Sequence, residues 1–503
     1  DPTIRRRAAF GAFRFAQHTL WFLGTVTPLR LAHIHPITYH GAKRDEPFPP
    51  VHHPESRSDT APGPTLFTWA LLILLVWLPL PLGSNRNWAM SLFLVLIGLL
   101  TVVKAATHWR ASTHRETTTR LPRQAWIPLA LLCWAQLWVF AQWAFGLSAD
   151  SGETFRYLLL GVGYTLLYCL VLMEFNGRKK LTLLIAVLVI SGTLQAFFGS
   201  LVRLSGSDWV LFGSRTEFGG SAKATTGTFI NRNHLAGYLE MTIACGIGLM
   251  LAQRKGERIT LVGLLELLLS GKFLLRLALA IMVIALVLTQ SRMGNTGFFS
   301  SLLVIGGLFV LITREHRLRN ALILASLIAI DVLIVSQYFG LEKLRDRIVE
   351  TRFEDVVVEG EVILKENVDR DDIARYVLVQ FKERPLVGFG AGTFETTFQK
   401  YPGQEIVAHF DHAHNDYLQF VTELGLIGAL PLALFALLSL YHALRALWNR
   451  RSRYRSGIGF GAAMGILALI IHSSADFNLQ IPANAATFIT LCAIAILASR
   501  HRK

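Results

Sequence analysis

Charge is scarce in this chain. Only 17% of its 503 residues are Asp, Glu, Lys or Arg, whereas a soluble domain carries about a quarter. Three or four soluble domains would fit the length, but not with that deficit. Cysteine is scarce as well. Cys133, Cys169, Cys245 and Cys492 each lie inside a long apolar run, so none reads as half of a disulfide or as a zinc ligand. Collagen-like, disordered and disulfide-rich classes are excluded. What is plentiful is apolar: 52% of residues are hydrophobic and mean hydropathy is +0.43.

A membrane helix needs about 17–25 mostly apolar residues. Twelve runs qualify: 65–82, 88–106, 126–145, 155–174, 181–202, 235–252, 273–289, 294–313, 321–339, 427–447, 457–474 and 483–499. The stretch 259–270 is apolar but too short to span and reads as interfacial. Backbone groups facing lipid must be bonded within their own segment, so the runs predict helices rather than open strands. The predicted fold class is an all-α polytopic membrane protein with about 12 transmembrane helices and a long helical outer loop. No repeat of 20–50 residues is visible.

Orientation follows from Lys and Arg in the short loops. The alternate loops 107–125, 175–180, 253–272, 314–320 and 448–456, with the tail 500–503, hold 21 basic residues; the opposite short loops hold only Arg86 and Arg292. That asymmetry predicts both termini in the cytoplasm and the longer loops 203–234 and 340–426 on the other side. The net charge of +15, clustered at membrane faces, then means orientation and anionic lipid rather than nucleic acid. The chain starts at Asp1 rather than Met, and no signal peptide with a cleavage site is visible. Residues 1–64 form an N-terminal extension, in which 45–64 are rich in Pro and polar residues and read as a linker. Before it, Ile4–His35 mixes aromatic residues with Arg5, Arg6, Arg7 and Arg14, which predicts a basic amphipathic helix on the inner leaflet; a thirteenth span would place the N-terminus outside. The remaining divisions are 65–339 (nine spans), 340–426 (the outer loop with catalytic elements) and 427–503 (three spans and a basic tail).

The outer loops carry the chemistry. Thr226–His234 leads into a span whose N-terminus points outward, where unpaired N–H groups and partial positive charge suit phosphate. Arg232 adds a full charge, and Asn231, Asn233 and His234 add donors; the bland alternative is a polar cap with a snorkelling Arg. Arg292, in Gln290-Ser291-Arg292-Met293-Gly294, sits where an outward-running helix turns back. It is either a headgroup anchor or a diphosphate clamp, since a guanidinium fork matches phosphate oxygens.

Residues 369–384 read as an amphipathic helix with Ile373, Tyr376, Val377 and Phe381 on one face, beginning near Arg370 and flanked by Arg375. Gly388-x-Gly390-x-Gly392 lacks the spacing of a dinucleotide fingerprint and reads as a tight turn. In His412-Ala413-His414-Asn415-Asp416, His414 lies 11 and 14 residues before Gly425 and Gly428. In a continuous helix these lie near one face, with the glycines admitting a neighbouring helix and His414 at the mouth of the seam. A neutral imidazole there can accept a proton from a hydroxyl; the alternative is a capping His. Asp369-x-Asp371 and the His412/His414 pair could suggest a metal, but no third convergent ligand is evident, and the expectation is no metal and no cofactor. Ser473–Pro482, with Asp476 and Asn478, is either a sugar contact or a turn.

These clusters, in this order, resemble the bacterial O-antigen ligase and polymerase superfamily over about residues 65–499. His414-Asn415, nine residues, then Gly425-x-x-Gly428 is similar to the His-(Asn/Ser/Gln)-x9-Gly-x-x-Gly pattern of O-antigen ligases; the Gly-Thr-Phe-Ile-Asn-Arg-Asn-His, Ser-Arg-Met-Gly, Pro-Leu-Val-Gly-Phe-Gly and Asp-Phe-Asn-Leu-Gln-Ile-Pro segments look like that superfamily too. The resemblance implies a GT-C-type inner-membrane glycosyltransferase that takes a glycan from undecaprenyl diphosphate on the periplasmic face, with inversion and without metal. A ligase passes the glycan to the lipid A-core sugar, and a polymerase to another lipid-linked repeat. It implies Arg292 and Arg232 as clamps on the diphosphate, Arg375 and Arg215 as further cations, and His414 as the residue orienting or deprotonating the acceptor hydroxyl. Some relatives have been labelled bicarbonate carriers, so a small-anion transporter is the rival class, with a flippase third. Transport places charge near the midplane, whereas these cations fall at outer span ends and the spans carry few internal charges, Glu240 and Glu266 being the exceptions.

Overall fold

A computed structural model describes residues 63–113, 121–211, 213–214, 217, 224–253, 271–313, 317, 325, 357–358, 361–362, 370–402, 409–449 and 451–500. The expected span 321–339, the interfacial stretch 259–270 and the amphipathic segment Ile4–His35 lie outside the described residues.

The chain is an all-α, multi-pass membrane protein. Its helices are α1 (Leu66–Trp77), α2 (Asn87–Thr113), α3 (Trp126–Ala144), α4 (Ser151–Glu174), α5 (Arg178–Leu204), α6 (Arg232–Ala252), α7 (Gly271–Leu288), α8 (Arg292–Ile312), α9 (Arg370–Glu383), α10 (Phe394–Phe398), α11 (Asp416–Leu447), α12 (Arg453–His472) and α13 (Pro482–Ser499). Among the described residues nine are long and apolar enough to cross a membrane, and α1 and the Phe273–Leu288 part of α7 are shorter apolar helices. The first falls short of its predicted length because Pro79 and Pro81 cannot continue a helix; Leu82–Ser84 forms a 3-10 turn instead. Two two-residue hairpins, Trp209–Val210 with Gly213–Ser214 and Val357–Val358 with Glu361–Val362, complete the regular structure.

Three helices form the centre. The whole of α13 is buried, as is most of α6, in keeping with sequences that are apolar all round. Helix α12 packs on α6, α8, α11 and α13. Its first turns carry Gly457, Gly459 and Gly461, which let backbones meet. A Cβ on Gly457 would stand 2.5 Å from the Ala252 nitrogen of α6, and one on Gly461 would stand 2.6 Å from the Ala244 carbonyl.

The bundle has two chemically distinct ends. At one, Glu174 of α4 accepts from Lys104 of α2 (2.5 Å), Lys180 of α5 (2.6 Å) and Thr68 of α1 (2.6 Å). Arg178 lies 4.5 Å from the Tyr454 ring centroid, and Arg500 bonds Asn176. The described parts of the Lys- and Arg-rich segments 175–180, 448–456 and 500 meet at this end. At the other end the N-termini of α6, α8 and α11 meet the turn between α12 and α13.

Candidate functional site

Three helices that open onto this second end, α6, α8 and α11, are each capped by a short polar residue whose side chain satisfies an otherwise unpaired N–H. Asn231 Oδ1 accepts from Asn233 N (2.9 Å), Ser291 Oγ from Gly294 N (3.1 Å), and Asn415 Oδ1 from Tyr417 N (3.0 Å) and Leu418 N (3.1 Å). The residues before two of these caps, Gln290 (φ 55°) and His414 (φ 48°), are in the left-handed region. That conformation is uncommon without glycine and concentrates at functional positions. It turns the chain sharply into each helix.

Phe477, in the α12–α13 turn, is where the imidazoles gather. His412 stacks on its ring (centroids 4.2 Å, planes 23°), His414 meets it edge-on (5.0 Å) and so does His234 (4.7 Å). His234 Nε2 lies 3.9 Å from Asp476 Oδ1 and, though buried, has no hydrogen-bond partner among the described residues. The turn itself is held from three sides. Asp416 N donates to the carbonyls of Ser473 (3.0 Å) and Asp476 (3.1 Å), Asp416 Oδ2 accepts from Ser473 Oγ (2.8 Å) and Leu479 N (3.0 Å), and Asn415 Nδ2 donates to Ser474 O (2.7 Å). Asn484 of α13 donates to Asn478 Oδ1 and to the His234 carbonyl, both at 2.9 Å. Asp476, Asn478, His234 and Asn233 are all buried.

The cations stand outside this cluster. Arg232 and Arg292, the first residues of α6 and α8, are both exposed. Their helices touch within the first turns, since a Cβ on Gly294 would stand 2.5 Å from Ala236 Cβ. Arg375 is exposed on α9, whose Ile373 and Val377 pack with Phe394, Phe398 and Ala413 in a small separate core. The side chain of Arg370, which opens α9, and the whole of Arg215 lie outside the described residues. Among the described residues no three His, Cys, Asp or Glu side chains are grouped to hold a metal ion.

The one-face relation of His414 to Gly425 and Gly428 does not hold. Gly425 has φ 60° and ψ −179° and breaks α11, so the one-face arithmetic of a continuous helix fails across it. The break frees backbone groups, and a glycine-rich strap, residues 385–394, takes them up. Phe389 N donates to Thr422 O (3.0 Å), Gly390 N to Glu423 O (2.8 Å), Leu426 N to Pro385 O (2.9 Å) and Ile427 N to Leu386 O (3.2 Å). Trp138 Nε1 of α3 donates to Leu424 O (2.7 Å), and Gln142 Nε2 to Glu423 O (2.9 Å) and Val387 O (2.7 Å). Gly388, Gly390 and Gly392 all have positive φ, so the run is a turn, and its role is to plug the helix break. Irregular backbone at the edge of a membrane bundle persists where protein satisfies it in this way. Gly428 is helical and lies under Trp138, its Cβ position 2.5 Å from Cδ1.

Sequence reasoning missed Phe477 as the hub and Gln419 and Glu423 as partners of the strap and of His412. Gln419 and Glu423 lie seven and eleven residues after His412, on one side of the short helix that precedes Gly425, and that spacing was the available signal.

An apolar bundle with polar caps and a histidine cluster at one end defines a multi-pass membrane protein with its candidate chemistry at the helix ends. A family model described as O-Antigen ligase matches residues 277–433, a match that supports the O-antigen ligase superfamily for that segment. The match takes in Arg292, Arg375, His412, His414, Gly425 and Gly428. No curated protein matches the chain. The general function is accordingly of the O-antigen ligase or polymerase type, a glycosyltransferase-like one.

Proposed function

We propose that this protein is an O-antigen ligase-type glycosyltransferase, which moves a glycan from undecaprenyl diphosphate to a sugar hydroxyl of lipid A-core or a similar acceptor. The observation that carries the reading is the convergence of His412, His414 and His234 on Phe477, at the bundle end where Arg232 and Arg292 open two touching helices. The end away from the Lys- and Arg-rich loops would face the periplasm, with both termini in the cytoplasm of the inner membrane.

In this reading the acceptor hydroxyl gives its proton to His414, and its oxygen bonds the anomeric carbon from the face opposite the diphosphate. The anomeric C–O bond breaks with its electron pair passing to the diphosphate, so the configuration inverts. Negative charge grows on the leaving oxygens, and preorganised cations stabilise it more in the transition state than before. Arg292 and Arg232 serve as these cations, with Arg375 and Arg215 assisting. Transfer is expected to need no metal and to continue in EDTA.

The test is purified protein in lipid with undecaprenyl-diphosphate-linked glycan and lipid A-core. A capped lipid A-core supports the ligase. A ladder of repeats on undecaprenyl diphosphate instead supports the second reading, a polymerase, since related polymerases carry similar motif text. Absence of either product, with anion uptake into vesicles, would overturn both in favour of a transporter.

A further inference from the structure

Gln419 fixes the protonation of His412. Its amide orientation is set by two neighbours: Oε1 accepts from the backbone N–H of Ala413 (3.2 Å) and Nε2 donates to Glu423 Oε1 (3.0 Å). An amide carries two N–H donors, and the second points at His412 Nδ1, 3.2 Å away. A ring nitrogen that faces an N–H must be the acceptor, so the proton of the neutral ring sits on Nε2.

Glu423 in turn cannot move. Its side chain is buried, and besides Gln419 it accepts from Gly392 N (2.9 Å, on Oε2) and Phe394 N (3.3 Å, on Oε1) of the strap. The chain strap, Glu423, Gln419, His412 therefore runs from the plugged helix break to the histidine cluster. Phe477 sets the plane of the His412 ring by stacking. No described residue takes up His412 Nε2, and His414 stands against the same phenyl ring.

We propose that Gln419 and Glu423 are positioning residues that lock His412 as a neutral Nε2–H donor, so that His412 gives a hydrogen bond to a ligand oxygen gaining negative charge and does not act as a base. The ligand part of this assignment rests on the glycan-transfer reading; the tautomer does not. Burial, which holds the His412 ring below its ordinary range, agrees with a neutral donor. The two histidines then divide the work: His414 accepts the acceptor's proton, while His412 contributes a fixed dipole. Such a donor acts in the transition state and costs little reorganisation.

The test uses two measurements on the full chain. The first is the imidazole 15N spectrum of histidine-labelled protein in lipid, with the His412 signal identified by its loss in His412→Gln. The expected result is an unprotonated Nδ1 and a protonated Nε2, shifting toward Nδ1–H in Gln419→Glu, where a carboxylate would replace the amide donor. A protonated Nδ1 in the wild-type protein overturns the proposal. The second is transfer kinetics. A glutamine places its amide N–H where Nε2–H lies, so His412→Gln is expected to stay within about tenfold of wild type, while His412→Ala loses about 10²–10³ in kcat with little change in KM for the acceptor. Equal loss in both variants, with unfolding temperatures unchanged, would mean that His412 works as a base and overturns the donor role. If the wild-type protein transfers no glycan at all, the proposed function fails, and the spectrum still decides the tautomer.

Discussion

The Glu240 carboxylate and His472 Nδ1 lie 2.7 Å apart, and neither side chain reaches solvent. They join α6 to α12 a turn and a half beneath His234, and α8 closes over them. Cβ atoms on Gly294 and Gly297 would stand 3.2 and 3.0 Å from the Glu240 oxygens. Removing one member takes a buried hydrogen bond from the other and costs about 1–3 kcal/mol, whereas apolar replacement of both can be near neutral. Glu240→Ala is therefore expected to lower the unfolding temperature markedly, and Glu240→Leu combined with His472→Leu to recover much of it. A double-mutant cycle of thermal unfolding in detergent checks this. Independent, additive losses would show that the pair does not couple the two helices.

Gly425 cannot be replaced. Its φ of 60° with ψ near 180° is open almost only to glycine, and an added Cβ would run into the backbone of Leu386 and stand 2.6 Å from the Val387 nitrogen. Gly425→Ala should unplug the strap and with it the support of Gln419 and His412, with transfer lost and protease sensitivity appearing in residues 385–394. Gly428→Ala meets the Trp138 ring and the Leu424 Cβ rather than the backbone of the strap, so its loss of stability should be smaller. Limited proteolysis of the two variants side by side separates them; equal behaviour would mean the helix break is not what anchors the strap.

Arg292 and His414 lie outside the packed core, so their removal should affect chemistry rather than folding. Arg292→Lys keeps the charge but loses the bidentate fork, and is expected to recover only part of the activity that Arg292→Ala abolishes. His414→Ala should cost about 10²–10⁴-fold, the range of a general base. Single-turnover transfer with a defined lipid-linked glycan measures both. Wild-type rates in His414→Ala would remove it from the mechanism.

Much of the scaffold is legible in the sequence because membrane helices advertise themselves. Each of the eleven apolar runs that fall within the described residues appears as a helix, and the amphipathic stretch 369–384 appears as α9. Capping is a local matter too, yet only the Thr226–His234 segment reads as a polar cap in the sequence; Ser291 does not stand out, and His414 rather than Asn415 reads as the capping residue. What could not be read was long-range. Gly425 looks like any small residue on a helix face, and only the strap folding back from 385–394 gives the backbone a reason to break there. Phe477 is one of 32 phenylalanines and becomes special only when three imidazoles arrive from two other loops. The buried partnership of Glu240 with His472 joins residues 232 apart in sequence, and no periodicity encodes it.

The His412 ring also predicts a direction of pH dependence. Burial depresses its affinity for a proton; Asp411 and Glu395 oppose that shift, and Arg156 adds to it. The folded ring thus titrates below the ordinary value of about 6.5. Above that value both folded and unfolded states hold a neutral ring, and stability is at its plateau. As pH falls below about 6.5 the unfolded chain binds the proton first, so stability declines until the folded ring is protonated too. The unfolding temperature should therefore drop between neutral and mildly acidic pH, and His412→Gln, which has no proton to gain, should flatten that part of the profile. Other groups that titrate in this range add slopes of their own, so the difference between wild type and His412→Gln is the quantity to measure. A parallel pair of profiles would mean that the His412 ring protonates as freely in the folded protein as in the unfolded chain.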